Sequence, residues 1–225
     1  REWAEYFAKW DVEVDVSLDG WSELHDVHRV YHDGSPTFRD SMRGFENLKT
    51  AGAKCYVSCT ETPENVGVLP DIVTWVKEEL GVDALGFNPL LSSASYATPD
   101  GGYGERLADG LLAAYDTARE LCVHEARMMR KVKAFAEGYV YDRDCCACGR
   151  QIVVTPDGQV GVCHAYTGQG SYFVEMRKEF EPEAHPFWKE WARRSPIFMA
   201  ECEDCEALGI CGGGCPYNSD VMTGS

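Results

Sequence analysis

The sequence predicts an α/β fold that leads into a small cysteine-rich region. Between residues 12 and 90, three short strand-like stretches alternate with two amphipathic helical patterns, which makes a β-α-β-α-β series. The connections are short, so the strands are expected to run parallel in one sheet. After Gly138, Gly, Pro and Cys become frequent and helical patterns become rare.

The elements of the first region follow from the spacing of apolar residues. Residues 12–17 (VEVDVS) alternate apolar and polar side chains as a strand does, and a polar loop begins at Leu18. We then expect a helix over 38–51, a strand over 54–60, a helix over 66–80 and a strand over 83–90.

A long helix is expected over 104–137, because apolar residues recur there at helical spacing. Beyond it, IVVTPDGQVGV (152–162) indicates a hairpin and PFWKEWARR (186–194) a short amphipathic helix. The boundary therefore lies near residue 138 and divides the chain into 1–138 and 139–225.

Charge and hydropathy exclude some partners. The net charge is −16, from 37 acidic and 21 basic residues, which disfavours nucleic acid. No apolar run approaches the roughly 18 residues that cross a bilayer, and no basic and apolar leader begins the chain. A cytoplasmic location away from membranes is expected.

We expect that the chain is a fragment at both ends, because its first residues, REWAEYFAKW, resemble the end of an amphipathic helix.

Cysteine clustering indicates a metal centre. The chain has 11 cysteines, and most lie between residues 145 and 215. The densest group is Cys202-x2-Cys205-x5-Cys211-x3-Cys215. Thiolates suit iron–sulfur clusters or zinc, and the glycines at 212–214 favour a cluster because they let the backbone approach bulky sulfide. A disulfide framework is the alternative, but it suits short secreted chains better.

A second cysteine group lies upstream. The spacing Cys148-x9-Gly158-x4-Cys163 surrounds the predicted hairpin, whose turn at 156–158 would bring Cys163 back beside Cys148. Cys145, Cys146 and Cys148 compete for the remaining ligand positions. Cys145 and Cys148 are separated by two residues and form the preferred pair.

In this order, the two groups resemble the SPASM domain of radical S-adenosylmethionine (SAM) enzymes, over roughly residues 138–220. The resemblance implies two auxiliary [4Fe–4S] clusters with crossed ligands. The first would be held by Cys145, Cys148, Cys163 and Cys215, and the second by Cys202, Cys205 and Cys211. The family's last cysteine has no counterpart before Ser225, so the second cluster is expected to be incomplete.

The first region resembles the same family. SLDGWSELHDVHRV (17–30) is similar to the fourth strand and loop of the radical SAM barrel in the peptide- and protein-modifying subgroup that includes anaerobic sulfatase-maturating enzymes. The implied fold is the second half of a partial (β/α)6 barrel. By resemblance, Ser17 and Arg29 would contact SAM, and Leu90 its adenosine. Residue chemistry alone also allows ordinary turn or surface roles.

The sequence departs from the family at the radical-generating site. The Cys-x3-Cys-x2-Cys triplet expected near the start of the barrel is absent. Cys55 and Cys59 have the first gap, but Thr62 occupies the third position. We expect both thiols, and Cys122, to be buried core residues. The chain alone is therefore predicted not to cleave SAM.

Four histidines are candidate site residues. His25, His28 and His32 share the predicted polar loop and are expected to be solvated. His164 directly follows Cys163, where sulfatase-maturating relatives carry an acidic catalytic residue. Its imidazole is a candidate proton acceptor, with a hydrogen bond near the cluster as the alternative. The substitution argues against sulfatase maturation itself.

The resemblance implies an enzyme that uses a 5′-deoxyadenosyl radical to abstract hydrogen from a peptide or protein side chain. An external one-electron reductant would be required, and the auxiliary clusters would accept an electron or bind the substrate. Modification of a ribosomal peptide is the favoured outcome. Two alternatives stay open: a ferredoxin-like electron-transfer module and a zinc-stapled interaction domain.

Overall fold

The computed structural model describes residues 1–91 and 101–224. The chain divides into two compact units, Arg1–Arg130 and Lys131–Ser225. The assignment of residues 1–138 to a barrel half and 139–225 to a cluster domain stays a prediction.

The first unit alternates helices and strands. Its elements are α1 (Glu2–Lys9), β1 (Val14–Ser17), α2 (Ser22–His28), α3 (Phe38–Ala51), β2 (Cys55–Glu61), α4 (Leu69–Glu78), β3 (Ala84–Pro89), α5 (Tyr103–Glu120) and β4 (His124–Glu125), and α6 (Ala126–Glu137) begins at its end.

One parallel sheet organises this unit. The strand order is β1-β2-β3-β4, and every neighbouring pair is parallel. The predicted α/β fold with a parallel sheet is confirmed. Because all four strands run the same way, their carboxyl ends meet at one edge, where α/β proteins bind ligands.

The core lies between the sheet and the helices. In β2, Cys55, Val57 and Cys59 alternate with less buried residues and face the core, so the prediction that both thiols are core residues is confirmed. Helix α4 supplies Leu69, Ile72, Val73 and Val76, which lie one helical turn apart and are all fully buried.

Two predictions for the first unit were wrong. The polar loop after β1 contains helix α2, and the long helix over 104–137 is broken between α5 and α6. The break occurs at Cys122, which has a φ of 53° and turns the chain so that Val123 is buried and β4 can pair with β3. Cys122 is consequently exposed and is not the core residue that we expected.

The second unit has short elements. They are β5 (Val153–Val154), β6 (Gln159–Gly161), β7 (Phe173–Glu175), α7 (Pro186–Ala192) and α8 (Pro216–Thr223). β5 and β6 form the predicted hairpin, with Gly158 in the left-handed region at a φ of 82°. β7 adds a third antiparallel strand that was not predicted. Among the described residues, no helix is long and apolar enough to cross a membrane.

Candidate functional site

The first candidate site lies at the carboxyl ends of the strands. Ser17 is the last residue of β1, and Arg29 directly follows α2. Both residues line one surface cavity. Leu90 directly follows β3 and is not among the described residues that line this cavity. The structure thus brings two of the three predicted SAM-contacting residues together, and their binding role stays a prediction.

Arg29 is held by a buried carboxylate. Its Nε donates to Asp19 Oδ2 at 2.6 Å, and its Nη2 donates to Asp19 Oδ1 at 3.1 Å and to Thr60 Oγ1 at 3.0 Å. Asp19 is only 3% exposed and also accepts the Thr60 backbone N–H at 2.8 Å. The Nε–Nη2 edge of Arg29, which could bind a ligand carboxylate through two hydrogen bonds, is therefore occupied by Asp19, and only Nη1 has no partner among the described residues.

Helix α2 is fixed by a buried histidine. His25 Nδ1 accepts the Asp19 backbone N–H at 3.4 Å, so Nε2 carries the proton and donates to Thr37 Oγ1 at 3.1 Å. Thr37 Oγ1 then donates to the Arg29 carbonyl at 2.6 Å. Burial lowers the pKa of His25, which favours this neutral form. The expectation that His25 is solvated was wrong, because the ring connects both ends of the Asp19–Arg29 loop.

Glu61, the last residue of β2, is a buried acid that the sequence analysis missed. It is 0% exposed, and neither carboxylate oxygen has a hydrogen-bond partner among the described residues. Burial raises its pKa to about 7, and the nearby Arg127 and Glu125 modify that value in opposite directions. The alternation of β2 could have revealed it, since Glu61 shares the inward face with Val57 and Cys59.

The second candidate site gathers thiols from separate stretches of the second unit. A charge on Cys215 would raise the pKa values of Cys145, Cys148 and Cys163. Cys215 therefore lies near enough to interact electrostatically with each of the other three thiols. Cys148 and Cys163 are buried, and Cys145 and Cys215 are partly buried. These are the four cysteines that the family resemblance assigns to the first cluster, and their role as ligands stays a prediction.

These thiols are costly to ionise without a bound group. Burial raises the pKa of Cys148 to about 11 and also raises the pKa values of Cys145 and Cys163. Among the described residues, no three such side chains converge closely enough to hold one metal ion.

Two residues of the glycine run, Gly212 and Gly213, pack against other parts of the chain. Gly212, Gly213 and Gly214 all have a positive φ, of 72°, 78° and 72°. A Cβ on Gly212 would lie 2.7 Å from the Asp144 nitrogen, which donates to the Gly212 carbonyl at 2.7 Å. This close approach brings the segment before Cys215 against the segment before Cys145. Gly212 therefore serves chain packing, whereas the space beside Gly214 is open.

The remaining cysteines of the dense group are more open. Cys205 and Cys211 are exposed and Cys202 is partly exposed. Tight turns relate them, with the Cys205 N–H donating to the Cys202 carbonyl at 3.1 Å. Cys146 is also exposed.

His164 begins a single helical turn, His164–Tyr166, directly after Cys163, and its side chain is exposed. The turn leaves it accessible to a molecule arriving from solvent beside the thiol group. Its catalytic role stays a prediction.

Comparisons with known proteins cover nearly the whole chain. No family model matches the sequence. The chain is 23% identical over 239 residues to the serine-type anaerobic sulfatase-maturating enzyme of Klebsiella aerogenes, which covers 95% of this chain and 54% of that protein. It is 28% identical over 244 residues to the AdoMet-dependent heme synthase of Oleidesulfovibrio alaskensis, and this alignment covers 93% of this chain and 58% of that protein. The chain thus spans just over half the length of these relatives.

Solved structures share the fold. Native anSMEcpe with bound AdoMet matches with a TM-score of 0.82 at 20% identity, over 100% of this chain and 64% of that one. Native anSMEcpe with bound AdoMet and Kp18Cys peptide matches with a TM-score of 0.79 at 20% identity, over 96% and 62%. The chain is thus similar to enzymes of the radical SAM/SPASM family and shares the fold of the anSMEcpe structures. Streptococcus suis SuiB bound to S-adenosylmethionine has the same fold less closely, with a TM-score of 0.58 at 17% identity, over 96% and 52%.

The second unit also contains two buried donors without acceptors in the described part of the chain. Trp191 Nε1 and Arg194 Nη1 have no hydrogen-bond partner among the described residues. Buried donors are rarely left unpaired in folded proteins. Arg194 lies near enough to lower the pKa of the Cys148 thiol, so its unpaired donor fits a bound group that offers sulfur acceptors, as an iron–sulfur cluster does.

Arg194 was missed by the sequence analysis for the same reason as Asp19. Neither residue belongs to a spacing motif, and each acts through a partner distant in the chain. The one signal in the sequence was that Arg194 is a basic residue at the end of the predicted helix 186–194. Basic residues are common at helix C-termini, so this signal did not indicate a site.

Proposed function

We propose that this chain supplies the second half of the barrel and the SPASM domain of a radical SAM enzyme that modifies a peptide or protein side chain by hydrogen abstraction. The observation that carries this proposal is the gathering of four thiols from three stretches of chain, at Cys145, Cys148, Cys163 and Cys215. The relatives that match nearly the whole chain support it.

The SPASM thiols would hold the auxiliary clusters. Cys145, Cys148, Cys163 and Cys215 would bind the first [4Fe–4S] cluster, and Cys202, Cys205 and Cys211 the second, which lacks a fourth thiol here. When bound, such a cluster passes one electron or binds a substrate atom. The protein's own contribution is to supply thiolates in a buried setting around Cys148 and Cys163 that excludes water.

The barrel half would hold SAM, which supplies the radical when it is bound and cleaved. Ser17 would offer its hydroxyl to the amino-acid end of SAM, and Arg29 its Nη1, which has no hydrogen-bond partner among the described residues. Leu90 would contact the adenosine. Asp19 holds Arg29 in place, so SAM would meet a cation that is already oriented.

The chain alone would not generate the radical. Cys55 and Cys59 are buried in the core, and Thr62 stands where a third cysteine would be needed. Incubation with SAM and dithionite is expected to give no 5′-deoxyadenosine. Its detection by mass spectrometry would refute this part of the proposal.

A peptide or protein substrate is favoured by the sulfatase-maturating relatives and by the peptide-bound neighbour. His164 would accept a proton from the substrate, with its exposed imidazole beside the cluster site. A tetrapyrrole is the second candidate, because the heme synthase shows the higher identity at 28%. Fluorescence anisotropy with a labelled serine- or cysteine-containing peptide, competed by a porphyrin carboxylate, distinguishes the two.

An external one-electron reductant would be the redox partner, and no nucleic acid or membrane partner is proposed. The net charge of −16 disfavours nucleic acid. A cytoplasmic location is part of the proposal, since the cluster thiols require a reducing compartment.

Iron and sulfide analysis tests the central claim. Protein that is purified and reconstituted anaerobically should contain both elements, absorb visible light and give a paramagnetic signal on reduction. Zinc without sulfide would replace the proposal with an interaction domain. Clusters in a chain that binds no SAM in equilibrium dialysis would favour a ferredoxin-like module instead.

A further inference from the structure

Arg194 has a buried donor that no residue in the described chain satisfies. Its side chain is 14% exposed, and its Nη1 has no hydrogen-bond partner among the described residues. A buried donor without an acceptor is destabilising, and more so when it is charged. The missing acceptor is therefore expected to come from a bound group.

The guanidinium cannot turn away to find another acceptor. Its Nη2 donates to Asp220 Oδ1 at 2.9 Å, to Glu190 Oε1 at 3.0 Å and to Tyr172 Oη at 3.2 Å. Its Cζ lies 4.5 Å from the centre of the Trp191 ring. These contacts fix the plane of the guanidinium and hence the direction of Nη1.

Arg194 lies beside the thiol group. Cys148 Sγ donates to the Arg194 carbonyl at 3.5 Å. Gly149 makes this approach possible, because a Cβ there would lie 2.7 Å from Ala192 Cβ at the end of α7. The guanidinium is also near enough to lower the pKa of the Cys148 thiol, against the larger effect of burial.

Arg143 provides an internal comparison. It also acts on the charge of Cys148, but its donors are occupied. Its Nη1 donates to the Cys148 carbonyl at 2.7 Å, and its Nε and Nη2 contact Asp142 Oδ2 at 2.8 and 2.6 Å. Both arginines therefore lower the pKa of Cys148 through their charge, but only Arg194 has a donor, Nη1, without an acceptor among the described residues.

We propose that Arg194 Nη1 donates a hydrogen bond to a sulfur atom of the cluster held by Cys145, Cys148, Cys163 and Cys215, and thereby raises its reduction potential. This inference rests on the proposed function of those thiols. Reduction adds negative charge to the cluster, and a charged donor to sulfur stabilises the reduced form more than the oxidised one. Arg194 is thus a positioning and tuning residue rather than a catalytic one.

An EPR-monitored redox titration tests the proposal. Cys202, Cys205 and Cys211 are replaced by serine so that one cluster remains, and the protein is reconstituted anaerobically. At the parent's midpoint potential, Arg194→Gln should lower the reduced-to-oxidised ratio about tenfold, which corresponds to about 59 mV for one electron. Arg143→Gln should change the ratio by less than about threefold, since no donor to sulfur is lost.

Equal shifts in the two variants would overturn the hydrogen bond in favour of a charge effect, and no shift in Arg194→Gln would overturn the proposal altogether. Absence of iron and sulfide in the parent protein would instead refute the proposed function.

A second experiment keeps Arg194 unchanged, so misfolding of an Arg194 variant cannot affect its result. In Arg143→Gln protein labelled with guanidino-¹⁵N arginine, pulsed EPR of the reduced cluster should detect a coupled ¹⁵N nucleus, and its absence contradicts the proposal.

Discussion

The two units of this chain are stabilised in different ways. The first has a continuous apolar core that runs from Ala4 to Val123 and is organised by a four-stranded parallel sheet. The second has a three-stranded sheet of two- and three-residue strands, many single helical turns and a set of half-buried thiols. Apolar burial is sufficient to explain the first fold, whereas the second is organised around side chains that suit a bound group.

The difference implies that the units respond differently to metal. Structural metal centres add their binding free energy to folding, and small domains that depend on them loosen without metal. In the described part of the first unit, the buried thiols Cys55 and Cys59 pack as apolar side chains, so we expect no such dependence there.

The largest expected effect is therefore loss of the cluster. Without iron and sulfide, or in Cys215→Ser, cleavage in residues 131–225 by a low concentration of trypsin should accelerate at least about tenfold, because the apo unit opens more often. Cleavage within residues 1–91 should stay unchanged. Mass spectrometry of the fragments over time measures both rates.

Cys122→Ser is the matched control, since Cys122 is an exposed thiol of the first unit. It should retain iron and the parent's cleavage pattern. Equal protection of the second unit with and without iron would contradict the comparison between the units.

The next largest effect concerns the apolar core. Phe87 is 1% exposed, and Phe87→Ala should destabilise the first unit by about 3–5 kcal/mol, through lost burial and the cavity that is left. Leu112 is 55% exposed, and Leu112→Ala should change stability by less than about 0.5 kcal/mol. Urea unfolding followed by tryptophan fluorescence gives both values, and similar losses in the two variants would show that the core is misassigned.

Glu61 should make the stability of the first unit depend on pH. Burial raises its folded-state pKa from 4.5 to about 7, so the folded protein retains a proton that the unfolded chain releases between these pH values. Stability therefore falls as the pH rises through that window, by about 3 kcal/mol in total. Glu61→Gln should remove this fall, while Glu120→Gln, at an exposed position, should keep it. Urea midpoints at pH 5 and pH 8 measure the difference, and an unchanged slope in Glu61→Gln would refute the assignment.

The smallest effect concerns two glycines, one in each unit. Gly158 has a φ of 82° in the hairpin turn, so Gly158→Ala should destabilise the second unit by about 1 kcal/mol. Gly44 lies within α3 with nothing near its missing Cβ, so Gly44→Ala should stabilise the first unit by about 0.5–1 kcal/mol. Thermal unfolding of reconstituted protein tests these opposite signs.

The sequence predicted the elements whose residues interact locally. Helix α3 occupies residues 38–51 as predicted, because its apolar spacing and the left-handed Gly52 are both local signals. Helix α2 was missed because its short sequence is polar, and its buried contact comes from His25 reaching Asp19 and Thr37. The break at Cys122 was missed because helical periodicity continues across it.

For the candidate site, spacing indicated two groups of cysteines, and the family resemblance divided them between two clusters, an assignment that stays a prediction. Spacing could not predict the residues that act on them from elsewhere. Arg194 lies 46 residues from Cys148, and no periodicity connects the two. Likewise, the carboxylate that occupies the Arg29 fork comes from Asp19, a residue that the sequence placed in a loop without a partner.

Strand β1 has a further consequence. Within the described sheet it has a neighbour on one side only, so its other side offers backbone amides and carbonyls to a further strand, which the first half of the proposed barrel would supply. Asp15 is exposed on this strand, and Glu13 is exposed directly before it. Two copies of the chain that paired along β1 would bring these carboxylates close together. Their repulsion would oppose such pairing.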